Sequence, residues 1–193
     1  MLIERAASVH GLRFGNASDV TASTKRSEIE CEVISLFDGF RDPVLRYVLS
    51  FGICIHDAEE VTQEVFLALF RHLRLGRGRK NLRGWIFRVA HNLALKQRHA
   101  NRRSRAMVEF DWTVAESHAD PSLDPEEQAS FGQRRQRLLA VFNALPEDDQ
   151  RCLRLRAEGL GYREIARVLG LSLGGVSMSL AKSLARFIRV DGV

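Results

Sequence analysis

Twelve arginines and lysines stand between Glu64 and Glu109 with no carboxylate among them: Arg71, Arg74, Arg77, Arg79, Lys80, Arg83, Arg88, Lys96, Arg98, Arg102, Arg103 and Arg105. Guanidinium and ammonium groups at this density suit the neutralisation of phosphate. Leu82, Trp85, Ile86, Val89 and Leu93 are threaded through the run at helical spacing, so it reads as a folded helix with one basic and one apolar side. The sign then inverts. From Ala106 to Gln133 there is no lysine or arginine, while Glu109, Asp111, Glu116, Asp120, Asp124, Glu126 and Glu127 appear.

Two further patterns frame that strip. Upstream, Asp57-Ala-Glu-Glu60 has the spacing of an N-cap with a glutamate three residues on, and predicts a helix from Asp57 to about Leu73. Val61, Val65, Leu69 and Leu73 form its apolar stripe; Glu60, Gln63 and Glu64 lie off it and, with Asp57, make an acidic polar face. Taken alone, that face reads as a well-capped helix start in solvent. Downstream, Tyr162 to Leu169 predicts a short helix stopped by Gly170, with Ser172 placed to cap a final helix from about Leu173 to Ile188. Two short helices joined by a glycine-containing turn, with the small Ala166 where they cross, form a helix-turn-helix pattern.

The elements that must hold these residues are all helical. Residues 1–26 lack sustained periodicity and read as a mobile arm. A helix begins at Ser27, and Asp42-Pro43 predicts a fresh helix with proline in its first position, ended by Gly52. Gly76 to Asn81 is a charged loop, and a long helix follows from Leu82 to Arg103. The acidic stretch 106–125, with Asp120-Pro121 and Asp124-Pro125, is longer than loops inside compact domains and predicts a linker. A helix from Glu126 to Asn143 and a break at Leu145-Pro146-Glu147 lead to the helix closed by Gly159. The expected organisation is an arm over 1–26, helical domains over 27–105 and 126–193, and a linker over 106–125.

Bulk composition narrows the classes. The chain has 193 residues, a formal charge of +5 and three cysteines, Cys31, Cys54 and Cys152, with no CxxC pair. Core thiols in a reducing cytoplasm are expected, with no disulfide framework, zinc site or cofactor. No apolar stretch approaches a membrane span and the N-terminus lacks a signal pattern, which predicts a soluble cytoplasmic chain without membrane insertion. With no carboxylate pair inside the basic region to hold a metal, a nuclease is unsupported and no enzymatic activity is expected.

Asp57 to Phe66, Leu82 to Leu95, Ala144-Leu-Pro-Glu147 and Gly161 to Gly170, in this order, resemble the extracytoplasmic-function sigma factors of the sigma-70 family over about residues 30–188. The resemblance implies two helical domains, regions two and four, and a transcription initiation factor that binds core RNA polymerase and promoter DNA. On it, Asp57, Glu60, Gln63 and Glu64 would grip the β′ clamp helices, with the β subunit a further partner and an anti-sigma factor a possible one. Arg74, Arg77, Arg79, Lys80, Asn81, Arg88, Asn92, Lys96, Arg102 and Arg103 would open the −10 element and hold its non-template strand. Asn92 matches a position that reads an unstacked base, with a surface asparagine as the alternative. Trp85 has two uses at its spacing, core packing or stacking under a base; the pattern favours the core. His91 and His99 have no ligand partners at helical spacing and read as packed or solvated histidines. The acidic linker would pass near the template strand or serve as a soluble tether.

The second half departs from the family. Its recognition helix reads Ser172-Leu-Gly-Gly-Val-Ser-Met-Ser-Leu-Ala-Lys182, poor in the basic residues usual there. Ser172, Ser177, Ser179 and Lys182 are the candidates for the −35 element, with Arg163, Arg167 and Arg186 for its backbone. The competing class is a free-standing helix-turn-helix regulator with a sensor domain. Such a domain has no need of an uninterrupted basic strip interleaved with aromatics, whereas strand separation does.

Overall fold

Pro43 does not start a helix; it lies inside one. In this computed structural model, which describes residues 17–104 and 125–191, α1 runs unbroken over Ala17–Leu49. The proline cannot donate to the Gly39 carbonyl and its ring crowds that group, a cost of about 3 kcal/mol. Val44, Tyr47 and Val48 directly after it are at most 1% exposed. Each such side chain contributes about 1.5–3 kcal/mol on burial, so packing outweighs the proline. The helix also begins ten residues before Ser27, so residues 17–26 of the expected arm are helical. Residues 1–16 and the linker over 106–124 lie outside the described residues.

The second helix, α2, spans Ile55–Arg74 with Cys54 rather than Asp57 at its N-cap. Asp57 sits one turn in and its carboxylate accepts from Asn101 Nδ2 at 2.7 Å, so it caps nothing. The expected stripe is buried: Val61, Val65, Leu69 and Leu73 face inward, joined by Ala58, Thr62 and Phe66. Gly76, at φ 65°, turns the chain into the loop. Next, α3 spans Leu82–Ser104 and buries Ile86, Phe87, Ala90, His91 and Ala94.

The remaining helices are α4 (Pro125–Asn143), α5 (Glu147–Ala157), α6 (Tyr162–Leu169) and α7 (Leu173–Asp191). Gly170, left-handed at φ 68°, ends α6, and Ser172 Oγ accepts from the Gly175 N–H at 3.0 Å to start α7, as its spacing predicts. Ile165, Val168, Val176 and Leu180 fix the angle between these two helices. Helices are the sole regular elements among the described residues. The buried side chains of α1–α3 and of α5–α7 form one contiguous apolar cluster, with α6 against α3.

Not every cysteine is a core thiol. Cys152 is buried and burial pushes its thiol pKa up, Cys54 is half-buried, and Cys31 is exposed. Cys31 lies two residues from buried Ile29, hence on the opposite face of α1.

Candidate polymerase and nucleic-acid interfaces

The inward stripe of α2 leaves Glu60, Gln63 and Glu64 exposed together on the other face. Glu60 meets the exposed His56 at 3.4 Å. Asp57 is set back from them, and the hydrogen bond from Asn101 holds its carboxyl below the usual carboxylate range. Leu67, one turn beyond Glu64 and 54% exposed, extends this face with an apolar edge. Sequence reasoning passed over it, although Leu67 falls off the Val61–Leu73 stripe and so was readable as outward.

The basic residues divide by direction. At 100° per residue, Arg88, Asn92, Lys96 and Arg103 fall within about 80° of arc on α3, with Arg102 about 40° beyond Arg88. All five are exposed. Arg77, Arg79 and Lys80 are exposed in the loop, where Arg79 reaches Glu32 of α1 at 3.3 Å. The Arg74 guanidinium lies over the Phe70 ring. Asn81 is occupied otherwise: at φ 59°, its Oδ1 accepts from the Gly84 N–H at 3.1 Å and caps α3. A Cβ on Gly84 would come within 2.7 Å of the Asn81 amide, which explains the glycine.

Trp85 is half-buried, with the His72 ring 4.6 Å from it between centroids and tilted by 42°. His72 Nε2 in turn meets the Gly78 carbonyl at 3.1 Å, tying the loop to the aromatic pair. His91 is packed, as expected, and shares a 2.9 Å hydrogen bond with the buried Tyr47 hydroxyl. Burial, helped by the nearby Arg151 charge, lowers its pKa to about 4, so it is neutral near pH 7. Burial also raises the Tyr47 pKa. No group of side chains suited to a metal ion occurs among the described residues.

In the second half the predicted residues are only partly brought together. Ser177 and Arg163 share a surface hollow of about 620 Å³ with Tyr162, Leu173 and Gly174. Ser172 spends its hydroxyl on the cap, and Ser179 donates to Asp149 Oδ1 at 2.5 Å. Arg167 faces α3 instead, across a gap also lined by Arg88. Lys182 and Arg186 are exposed further along α7, and Met178 stands 58% exposed beside Ser177. Between α4 and α7, Leu138, Leu139, Phe142 and Phe187 line an apolar groove of about 450 Å³ that sequence reasoning missed. Its signal was the apolar set Leu138, Leu139 and Phe142 at helical spacing on α4, with Phe187 on α7.

Two helical domains, the first with opposed acidic and basic faces and the second a helix-turn-helix, define a sigma-type initiation factor. The family models agree: sigma-70 region 2 matches residues 36–104 and sigma-70 region 4 matches residues 135–187. Among curated relatives, the RNA polymerase sigma-H factor of Pseudomonas aeruginosa is 30% identical over 145 residues, 71% of this chain and 74% of that one. The ECF RNA polymerase sigma-E factor of Escherichia coli is 30% identical over 139 residues, 69% and 70% of the two chains. The chain belongs to the extracytoplasmic-function group of the sigma-70 family.

Solved structures share the fold. The sigma factor RpoE of Bartonella quintana, in complex with the anti-sigma factor NepR, superposes with a TM-score of 0.62 at 19% identity, covering 84% of this chain and 98% of that one. CnrH, in complex with the cytosolic domain of CnrY, gives 0.56 at 21% identity, covering 89% and 95%. Sigma factors are transcription initiation factors, generally without enzymatic activity, and polymerase binding and promoter recognition are general to the family. No single helix among the described residues is long and apolar enough to cross a membrane.

Proposed function

We propose that this protein directs initiation by gripping the β′ clamp helices of core polymerase with Glu60, Gln63 and Glu64 while α3 and its loop hold a melted promoter strand. The observation that carries the reading is the separation of signs within one small domain: a carboxylate face on α2 and an exposed arc of Arg88, Asn92, Lys96 and Arg103 on α3. A protein surface and a phosphate chain can be bound there together without competing. Asn92 presents an amide to an unstacked base, and Arg102 and Arg103 meet phosphates. Asp57 positions the end of α3 through Asn101 rather than touching the polymerase, and Asn81 acts as the cap that aims the loop.

The second half docks on the −35 element through Ser177, Arg163, Lys182 and Arg186, mostly on its backbone. The apolar groove between α4 and α7 suits the β subunit. Residues 27–105 and 126–193 are the working units, joined through 106–125. An anti-sigma partner is proposed by likeness, since RpoE of Bartonella quintana, which shares this fold, is described in complex with the anti-sigma factor NepR. The factor works in the cytoplasm, where core polymerase is. Co-purification with core polymerase and run-off transcription on genomic fragments test the reading; failure to bind core or to start any transcript refutes it.

A further inference from the structure

A recognition helix reads sequence through side chains of its first turns that reach base edges in the major groove. The polar groups at the start of α7 supply little of that. Ser172 caps the helix, Ser179 is held by Asp149, and the charges of Lys182 and Arg186 suit phosphate. Within residues 173–181 the exposed arc runs from Leu173 through Ser177, Ala181 and Gly174 to Met178, and it carries no charge. At 100° per residue, Met178 stands opposite the buried Val176 and Leu180, with Gly174 and Ala181 within about 60° of it. It is 58% exposed, and it is the longest side chain on the outermost part of that arc.

Its neighbours leave room around it. A Cβ on Gly174 would meet nothing within 4 Å, so packing inside the chain gives no reason for glycine there. Glycine within a helix is disfavoured relative to alanine, and its common use is to let backbone approach another surface closely. Ala181, one turn beyond Met178, is short as well. On the other edge of the arc, Leu173 and Tyr162, 47% and 41% exposed, wall the hollow that Gly174 and Ser177 also line. The face that a helix-turn-helix turns to DNA is therefore apolar and recessed on both sides of its one long side chain.

We propose that Met178 is the base-reading residue of the second half and that its target is the 5-methyl group of thymine in the major groove, with Gly174 and Ala181 letting α7 seat deeply enough for contact. The inference rests on the reading of the second half as the part that docks on the −35 element. A thioether has neither charge nor donor, so it does not select among the hydrogen-bonding groups of a base edge. The thymine methyl is the apolar feature of that edge, and the flexible, polarizable methionine chain packs on it. Against cytosine the same side chain would find no methyl and would cover the N4 amino donor, leaving it unsatisfied.

The probe is the upstream duplex of a genomic fragment that yields a transcript with core polymerase and the full chain. Each thymine is replaced in turn by deoxyuridine, which removes the methyl and keeps every hydrogen-bonding group. At the position facing Met178 the replacement should weaken binding about fourfold, the effect of one buried methyl. Met178→Ala should bind the thymine duplex several-fold more weakly and no longer distinguish deoxyuridine there. Met178→Leu, close in volume, should keep the preference. Gly174→Ala, for which the fold has room, should keep its melting temperature and bind both duplexes more weakly. Circular dichroism checks that all forms keep their helices. Equal binding of thymine and deoxyuridine duplexes at every position overturns the methyl contact. A thymine preference that survives in Met178→Ala overturns the assignment to Met178, and unchanged affinity in Gly174→Ala overturns the close approach. In each of these cases a chain that still needs the upstream duplex for initiation leaves the functional reading intact. Initiation that is indifferent to the upstream duplex refutes that reading of the second half and the inference with it.

Discussion

The two halves invite comparison because each carries candidate contacts on helices, yet they are built on opposite plans. On α2 and α3 the exposed faces are strongly charged and of opposed sign, and long side chains reach outward from a buried apolar stripe. On α7 the outward residues near the turn are short: Ser177 is exposed, Met178 is apolar, Ser172 caps the helix, and Ser179 is tied to Asp149. Charge acts across a Debye length of about 10 Å, whereas a hydroxyl acts only in contact. The first half is therefore expected to supply most of the affinity and salt dependence, and the second a smaller share through Arg163, Lys182 and Arg186, with Ser177 acting only at short range.

The sharpest way to break this contrast is to reverse the acidic face. With Glu60→Lys and Glu64→Lys, the proposed grip on core polymerase should lose several kcal/mol, roughly a hundredfold or more in affinity. A titration with core polymerase measures it, with helical content unchanged. Equal affinity would remove α2 as the grip.

Acid should separate the halves next. No histidine lies in the second half, and the buried His91 of α3 carries a pH dependence. His91 titrates at about 4 when folded and near 6.5 when free. Below pH 6.5 the unfolded chain takes up a proton that the folded one refuses, so stability falls as pH drops from 6.5 to 4. The loss is on the order of 3 kcal/mol. Denaturant melts at pH 7 and 5 should show this slope in the parent and a flatter one in His91→Gln.

Strand separation offers a third test. Asn92→Ala should impair open-complex formation on duplex promoter more than on a pre-melted bubble, where the loss falls to the ~1–3 kcal/mol of a base contact. Ser177→Ala should affect both templates alike, because its element stays double-stranded. Permanganate footprinting of unpaired thymines distinguishes them; equal defects for Asn92→Ala on the two templates would reduce it to a simple binding residue. The smallest effect is a slope. Arg102→Ala with Arg103→Ala should lower the salt dependence of DNA binding by up to about two units. An unaltered slope would make these arginines solvated surface.

Much of this molecule was legible one residue after another. Helical periodicity, the glycine at 170, the serine cap at 172 and the segregation of charge are properties of a few neighbouring residues, and the structure follows them. The acidic face of α2 and the basic arc of α3 were readable for the same reason: a buried stripe dictates what the opposite face exposes. What local pattern could not decide depends on partners distant in sequence. Asp57 loses its cap to Asn101, 44 residues away, and Ser179 is held by Asp149, 30 residues away. Pro43 stays within a helix because the core buries Val44, Tyr47 and Val48 around it. Arg46 and Glu158 meet across 112 residues. A periodicity names the face a side chain occupies, while only the packed chain decides which group that face meets, because the pairing is settled by burial summed over the whole core.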